Sequence, residues 1–217
     1  MAKPGRETAE QPLSEKVYDC VVRRIVGKEL PPGEILDRRA LADELGVSVS
    51  PVVHAMARLE SEGFLEILPR KVTRVRLIGR EDFRAQMLVR NALECQAARV
   101  YCGRLVKENE AALLPLAREV DADRKGAQVA WAAEIAFHRA LVALTGCPGF
   151  LKEYDRVMRV GHFVLVSTFS EQNPFPYYPS RSWHAELVKS LQTNSPDKAE
   201  RALREHLESG RMEYLRP

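Results

Sequence analysis

Four side chains of the kind that bind metal ions lie in helical patterns in the second half of the sequence. Glu134 and His138 are four positions apart, so on a helix they project from the same face, one turn apart. His184 and His206 each lie at helical intervals from alanine, leucine or valine residues. This spacing indicates that both imidazoles point toward a buried helical face. The chemistry available to such a set is the binding of a divalent cation.

A cation would also compensate the cost of burying these groups. A buried carboxylate without a partner is costly, whereas three neutral imidazoles and one carboxylate, here His138, His184, His206 and Glu134, make a suitable ligand set for a divalent ion. These ligand types favour zinc, and nickel, iron or manganese are compatible with them. For any single histidine the alternative is an ordinary hydrogen-bonded core residue, and it is the set of three that favours a metal site.

The elements that must position these residues are long helices that follow Gly79. The apolar periodicity predicts an all-helical bundle of about six helices over residues 81–214. Ser195 is placed as an N-cap ahead of Pro196 at the first helical position. The aromatic and proline-rich connection 173–179 is longer than a typical bundle loop, which favours a lid or a dimer contact. The predicted helices are 81–104, 107–125, 127–145, 149–169, 180–193 and 196–214.

A different pattern occupies residues 12–78, after a polar tail at 1–11 that we expect to be disordered. A helix over Leu13–Gly27 is followed by a short helix from Arg38 to Leu45, and then by a third helix that ends at Gly63. Asp37 and Ser48 are the predicted N-caps and Gly46 the residue just past the second helix. Phe64–Leu77 alternates like a hairpin around residues 69–71. The fold class is therefore mainly α, an N-terminal winged helix-turn-helix followed by a C-terminal helical bundle.

The winged helix-turn-helix carries the chemistry for holding DNA. Ala42 and Gly46 allow the close helix crossing that a helix-turn-helix requires. Between Ile67 and Arg80 there are five basic residues and no acidic one, as expected for a wing that contacts phosphates. The alternatives are a solvated charged face for the basic residues and an ordinary surface histidine at His54. The candidate DNA-binding residues are Arg38, Arg39, Ser48, Val49, Ser50, Val53, His54, Arg58, Arg70, Lys71 and Arg74.

The N-terminal segment resembles the GntR family of bacterial regulators. The matching stretches are Pro32-Gly33-Glu34-Ile35-Leu36, Leu41-Ala42-Asp43-Glu44-Leu45-Gly46-Val47-Ser48, Pro51-Val52 and Leu59-Glu60-Ser61-Glu62-Gly63. Valines stand at 49 and 53, where the family usually has DNA-contacting arginines, His54 replaces a common glutamate, and Lys71 replaces the wing-tip glycine. The two arginine contacts are therefore not carried over, and apolar contact with thymine methyl groups is expected in their place. An atypical operator is expected, with impaired DNA binding as the open alternative.

The second half is similar to the FCD effector domain of the same family, in which an Asp, a His four residues later and two further His bind a metal. Phe137-His138, His184 and His206 match this pattern, and Glu134 occupies the place of the usual Asp with one extra methylene. The resemblance continues through Val89-Arg90-Asn91-Ala92-Leu93-Glu94 and implies that Arg90 faces an effector cavity. The alternative for Arg90 is an ion pair with Glu94 on the same helix. Gly146-Cys147-Pro148 stands where the family tends to have Asn, so the pocket wall differs.

His162 is a second candidate for the effector pocket. It shares a helical face with Met158 and Leu165, and an apolar helix end of this kind also suits an ordinary core position.

Composition excludes several classes of protein. A hydrophobic content of 45% is ample for packed cores, and no apolar stretch approaches the roughly 20 residues of a membrane helix. The N-terminus does not resemble a secretory signal, and four cysteines without a CxxC pair suit structural thiols in a reducing compartment. We therefore expect a soluble, cytoplasmic protein without a membrane partner.

These observations together predict a transcription regulator rather than an enzyme. The expected partners are a double-stranded DNA operator, a second copy of the chain in a homodimer, and a small carboxylate effector that completes the coordination of the metal. The alternative functions are a metal sensor or a metalloenzyme that uses the Glu134 and histidine site, with DNA binding weakened.

Overall fold

The computed structural model describes residues 11–68, 72–122, 127–169 and 183–209. The chain divides into two compact units, Met1–Leu77 and Ile78–Pro217. Several predicted features lie outside the described residues: the N-terminal tail up to residue 10, the wing tip at 69–71, the break at Gly126, the connection 170–179 and the end of the last helix beyond 209.

The first unit combines three helices with a small antiparallel sheet. The helices are α1 (Leu13–Val26), α2 (Arg38–Leu45) and α3 (Val49–Glu62), and the strands are β1 (Ile35–Leu36), β2 (Leu65–Leu68) and β3 (Val72–Val75). The strand order is β1-β3-β2, with Ile35 paired to Arg74 and Leu65 paired to Val75. Helix α3 packs against α1, α2 and β2, so its buried stripe forms the centre of the unit. This is the predicted winged helix-turn-helix.

Local signals explain where α2 and α3 begin and end. The Asp37 carboxylate accepts hydrogen bonds from the backbone N–H groups of Arg39 and Ala40, and Gly46 adopts the left-handed conformation with φ of 64°. Ser48 stands at the N-cap of α3 as predicted, but its side chain makes no capping hydrogen bond. Strand β1 was not predicted, because two residues are too few to show an alternating pattern.

The second unit is all helical, as predicted. Its described helices are α4 (Arg80–Tyr101), α5 (Arg104–Glu108), α6 (Glu110–Asp121), α7 (Ala127–Ala143), α8 (Pro148–Thr168), α9 (Trp183–Ser190) and α10 (Pro196–Glu208). The described ranges thus hold seven helices where about six were predicted, because the segment expected as one helix at 107–125 begins instead as α5 and α6 with Asn109 between them. Gly103, with φ of 74°, separates α4 from α5.

Helix α4 forms the centre of this unit. It packs against α7, α8 and α10, and the buried apolar residues of these helices form one continuous core. Two charged side chains of α4, Arg90 and Glu94, lie completely buried within this packing. Buried charges need partners, so other polar side chains must lie next to Arg90 and Glu94 in the centre of the bundle.

Two further predictions from composition can be compared with the described residues. Among those residues, no helix is long and apolar enough to cross a membrane. All four cysteines are free, with Cys95 buried, Cys147 exposed, and Cys20 and Cys102 intermediate. Burial raises the pKa of the Cys95 thiol to about 11, which keeps it protonated and unreactive.

Candidate metal centre and nucleic-acid interface

Three histidines from three helices meet inside the helical unit. His138 lies on α7, His184 on α9 and His206 on α10, and one ring nitrogen from each lies within 4.8 Å of the others. The ring centroids of His184 and His206 are 4.5 Å apart, and those of His138 and His206 are 5.3 Å apart. Ligand atoms at these separations could hold a single metal ion.

Glu134 adjoins this histidine cluster, one turn before His138 on α7. Its Oε2 lies 3.0 Å from Nε2 of His184, and its Oε1 lies 3.5 Å from Nε2 of His138. The carboxylate therefore faces the Nε2 atoms of two of the three rings. The structure brings the three predicted histidines together, and Glu134 contacts two of them, but the ligand atoms that all lie within 4.8 Å of one another belong to the histidines alone. The four-residue ligand set stays a prediction.

Arg90 reaches the same place from α4. Its Nε donates to Oε1 of Glu94 at 2.6 Å, and its Nη2 donates to Oε1 of Glu134 at 2.9 Å. The ion pair with Glu94 is therefore present, and the same guanidinium also contacts Glu134 beside the histidine cluster. The effector cavity stays a prediction. Its Nη1 is buried and makes no hydrogen bond to any part of the chain that the structure describes.

Three polar residues near the histidines, Glu94, Asp121 and Tyr154, were not predicted from the sequence to belong to the site. Oε2 of Glu94 lies 2.6 Å from Nδ1 of His138, and the Tyr154 hydroxyl donates to Oε1 of Glu94 at 3.1 Å. Oδ1 of Asp121, at the end of α6, lies 2.7 Å from Nδ1 of His184. The spacing of Arg90 and Glu94 on one helix was a signal for Glu94, whereas Asp121 and Tyr154 are distant in sequence and carried none.

These contacts shift the pKa values of the site in different directions. Burial alone would raise the pKa of Glu94, but Arg90 and His138 outweigh it and lower the pKa to about 2. Burial lowers the pKa of His138 despite its acidic neighbours. For His184 burial is outweighed by Glu134 and Asp121, which raise the pKa. Glu94 is therefore ionised, and His138 favours the neutral ring that metal binding requires.

His162, the second candidate for the effector pocket, and Arg90 both lie near the ring of Trp131. The His162 ring centroid is 6.3 Å from that of Trp131, and the Arg90 guanidinium carbon is 5.6 Å from the centroid of the same tryptophan. Nε2 of His162 is buried and has no hydrogen-bond partner within the described ranges. Burial lowers the pKa of this histidine.

The candidate recognition surface lies at the start of α3. Val49 and Val53 expose 42% and 38% of their surface, which is high for valine and leaves both methyl-bearing side chains free to contact a ligand. Ser48, Ser50 and His54 are exposed beside them. The buried residues of α3 point the other way, so this helix presents a mixed apolar and polar face to solvent.

Some of the arginines predicted to bind DNA already form ion pairs within the protein. Arg58 forms ion pairs with Glu15 and Glu62, and its guanidinium carbon stacks 3.9 Å from the centroid of the Tyr18 ring. These contacts tie α3 to α1 and speak against Arg58 as a DNA contact.

Two other arginines contact the sheet, and the rest are exposed or outside the described residues. Arg74 pairs with Glu66 across the hairpin at 2.7 Å, and Arg38 donates to Thr73 at 3.1 Å. Arg39 is exposed on α2. Arg70 and Lys71 lie outside the described residues.

Comparison with known proteins agrees with both units. Residues 13–75 match the family "Bacterial regulatory proteins, gntR family", and residues 87–209 match the "FCD domain" family. The chain is 24% identical over 201 residues to the HTH-type transcriptional repressor RspR of Escherichia coli, which covers 91% of this chain and 87% of that protein. It is 34% identical over 168 residues to an HTH-type transcriptional regulator of Agrobacterium vitis, covering 66% of this chain and 98% of that protein.

Solved structures show the same fold. Escherichia coli McbR/YncC superposes with a TM-score of 0.68 at 20% identity, covering 94% of this chain and 98% of that one. A putative GntR transcriptional regulator from Rhodococcus also reaches a TM-score of 0.68, at 21% identity, covering 93% of this chain and 97% of that one. With the winged helix-turn-helix, the helical bundle and the family matches in agreement, this chain belongs to the GntR family of bacterial regulators, with an FCD domain, and is a DNA-binding transcription regulator rather than an enzyme.

Proposed function

We propose that this regulator changes its affinity for an operator when a small organic acid binds at a divalent metal site in the helical domain. The observation that carries the proposal is the convergence of three imidazoles, a carboxylate and a buried guanidinium at one point in the bundle. His138, His184 and His206 with Glu134 would hold the metal.

The donor set fits a divalent cation. The Nε2 atoms of His138 and His184 face Glu134, while a second carboxylate lies at the Nδ1 atom of each ring. Neither ring nitrogen of His138 makes a well-aligned hydrogen bond to the described part of the chain, although the ring is completely buried. Imidazole and carboxylate ligands favour zinc, with nickel, iron or manganese as alternatives.

Arg90 supplies the recognition of an anion. Its Nη1 is a buried donor with no hydrogen-bond partner among the described residues, and it projects from a guanidinium already aligned by Glu94 and Glu134. A bound cation would supply positive charge and open coordination positions for an effector carboxylate. The negative charges of Glu94, Glu134 and Asp121 together equal the positive charge of a divalent cation and Arg90. The preference for an anion therefore rests on these local donors and not on a net positive field.

His162 and Trp131 would line the far side of the effector. The indole is near both Arg90 and His162, and the buried Nε2 of His162 can hydrogen-bond a second polar group of the ligand. A hydroxyl or a second carboxylate on the effector would satisfy that nitrogen.

A homodimer would place two α3 helices in successive major grooves of a roughly palindromic operator. Helix α4 carries an exposed apolar stripe that suits such an interface, with Leu88, Val89 and Val100 exposed by 48%, 44% and 54%.

Calorimetry with three forms of the protein tests the effector mechanism. Candidate organic acids are titrated into zinc-loaded protein, metal-free protein and a zinc-loaded Arg90→Lys variant. Lysine keeps the charge that Glu94 and Glu134 need but loses the forked donor geometry of arginine. We expect one acid to bind the zinc-loaded protein and to bind the other two forms at least about tenfold more weakly, a difference of about 1.4 kcal/mol.

Operator binding measured with and without that acid completes the test. Equal binding of the acid to all three forms would rule out coordination by metal and Arg90. If no acid binds while chelation alone changes operator affinity, the site is a metal sensor.

A further inference from the structure

Asp121 occupies an unusual position between two helices and a histidine ring. It is the last residue of α6, and its Oδ1 accepts a hydrogen bond from the backbone N–H of His184 at 3.2 Å and lies 2.7 Å from Nδ1 of the same residue. Its Oδ2 accepts from the backbone N–H of Ala185 at 3.2 Å. One carboxylate thus contacts both the first turn of α9 and the imidazole that this turn carries.

The contact with Nδ1 constrains where the His184 ring can carry its proton. A neutral imidazole has one N–H, and a carboxylate can only accept a hydrogen bond. A neutral ring that donates to Asp121 carries its proton on Nδ1 and its lone pair on Nε2. Because Nε2 also lies 3.0 Å from a carboxylate oxygen, Oε2 of Glu134, both nitrogens face acceptors until a cation occupies Nε2, and Asp121 would then hold the proton on Nδ1. A ligand role of His184 through Nε2 requires that tautomer, because the coordinating nitrogen must be free of a proton.

The backbone contacts constrain the orientation of the ring. Because Oδ1 accepts from both the main chain and the side chain of His184, rotation of the imidazole away from the cluster would break the bond to Asp121. Packing of α6 against α9 keeps Asp121 in place. Oε2 of Glu94 lies 2.6 Å from Nδ1 of His138, so two of the three rings have a carboxylate next to the nitrogen that does not face Glu134. Only the contact of Asp121 with His184 is an aligned hydrogen bond, since Nδ1 of His138 has none to the described residues.

We propose that Asp121 is a positioning residue that sets the tautomer and orientation of His184 and thereby controls the metal affinity of the site. The inference rests on the proposed metal site and adds a residue that does not itself bind the ion. Loss of such an outer carboxylate typically weakens metal binding about 10- to 100-fold. It also makes the joint between α6 and α9 part of the metal site.

An Asp121→Asn variant separates this role from simple helix capping. The amide keeps the shape of the side chain but cannot accept at both ends, so it cannot satisfy Nδ1 and both backbone N–H groups together. Asp37→Asn is the matched control, since Asp37 likewise accepts from two backbone N–H groups at a helix start but contacts no histidine in the described structure. Both variants are made in the full-length chain, and circular dichroism verifies that they fold.

The measurement is zinc affinity by competition with a chromophoric chelator, together with long-range ¹H–¹⁵N spectra of the histidine rings in zinc-loaded protein. We expect Asp121→Asn to raise the Kd for zinc about 10- to 100-fold and Asp37→Asn to leave it unchanged. The spectra of the original protein should show a proton on Nδ1 of His184 and zinc on Nε2.

The outcomes distinguish failure of this inference from failure of the proposed function. If the original protein binds zinc and Asp121→Asn binds it equally well, or if zinc is bound through Nδ1, the role of Asp121 is overturned and the metal site stands. If the original protein does not bind zinc or another divalent ion, both are overturned.

Discussion

At the scale of single residues, Arg90 links the two halves of the candidate site. Its guanidinium is fully buried and joins Glu94, which lies behind His138, to Glu134, which lies beside the histidine cluster. Removing one partner from a buried ion pair leaves an uncompensated charge, which is far more costly than losing a surface pair. The stability of the domain should therefore depend on this residue even before any ligand binds.

An Arg90→Ala substitution should lower the free energy of unfolding of metal-free protein by about 3–5 kcal/mol. Zinc should restore part of the loss, because a cation neutralises Glu134. Arg139→Ala is the control, since Arg139 pairs with Asp155 at the surface and should contribute about 0–1 kcal/mol. Urea unfolding with and without zinc measures all three proteins, and equal losses in the two variants would contradict the account.

Glu94 should make the domain sensitive to acid. Its pKa is about 2 in the folded protein against an ordinary value of 4.5, so its ionised form stabilises the folded state above pH 4.5, and this contribution is lost as the pH falls from 4.5 toward 2. The stability difference between the original protein and Glu94→Gln should therefore be largest near neutral pH and shrink over that interval. Unfolding curves at a series of pH values give this difference, and one that stays constant with pH would contradict it.

At the scale of elements, the start of α5 depends on a close approach between two connections. Gly103 has φ of 74°, and a Cβ at this position would lie 2.5 Å from Oδ1 of Asn194 and 3.2 Å from the carbonyl oxygen of Thr193. The backbone N–H of Gly103 donates to the carbonyl oxygen of Leu191 at 2.9 Å. The turn after α4 is thus held against the turn between α9 and α10, the two helices that carry His184 and His206.

Gly103→Ala should destabilise the helical domain by about 1–3 kcal/mol, because the residue would carry both backbone strain and a steric overlap. Gly149→Ala is the matched control, since a Cβ there meets nothing within 4 Å and the glycine has no positive φ. Thermal unfolding measures both. Similar melting temperatures for the two variants would show that the turn relaxes without cost.

The exposed face of α4 yields a second prediction at this scale. Leu88→Glu should place a charge in the proposed dimer interface and shift the protein toward monomers. Leu13→Glu is a matched control, because Leu13 is 50% exposed and Leu88 is 48% exposed. Light scattering over a range of concentrations gives the mass of each variant, and an unchanged dimer in Leu88→Glu would place the interface elsewhere.

At the scale of the whole molecule, the proposed mechanism combines DNA binding by the first unit with effector binding by the second. We expect the exposed valines of α3 to read apolar base edges and the basic residues of the predicted wing to supply affinity that does not depend on DNA sequence. Arg58 is held by Glu15 and Glu62, so the number of phosphate contacts should be smaller than a count of basic residues suggests.

Replacing Arg70 and Lys71 by Ala should weaken binding to all DNA sequences and reduce the slope of log affinity against log salt by about 2, roughly 1 for each lost phosphate contact. Arg58→Ala should leave that slope nearly unchanged. Val53→Asp should instead abolish preference for the operator. Fluorescence anisotropy over a range of salt concentrations measures these effects, and an unchanged slope in the double variant would remove the wing from the interface.

The sequence by itself determined the two folds and the four candidate metal residues. Caps such as Asp37 and Gly46 act within a few residues, and helical periodicity shows which face of α7 or α10 is buried, so local chemistry is sufficient. Only the tertiary structure decided which charged and polar side chains pair across different helices. The pairing of Arg90 with Glu134, the ion pair of Arg58 with Glu15 and the contact of Asp121 with His184 join residues that are distant in sequence. Such contacts depend on how helices pack, which periodicity within a single helix does not specify.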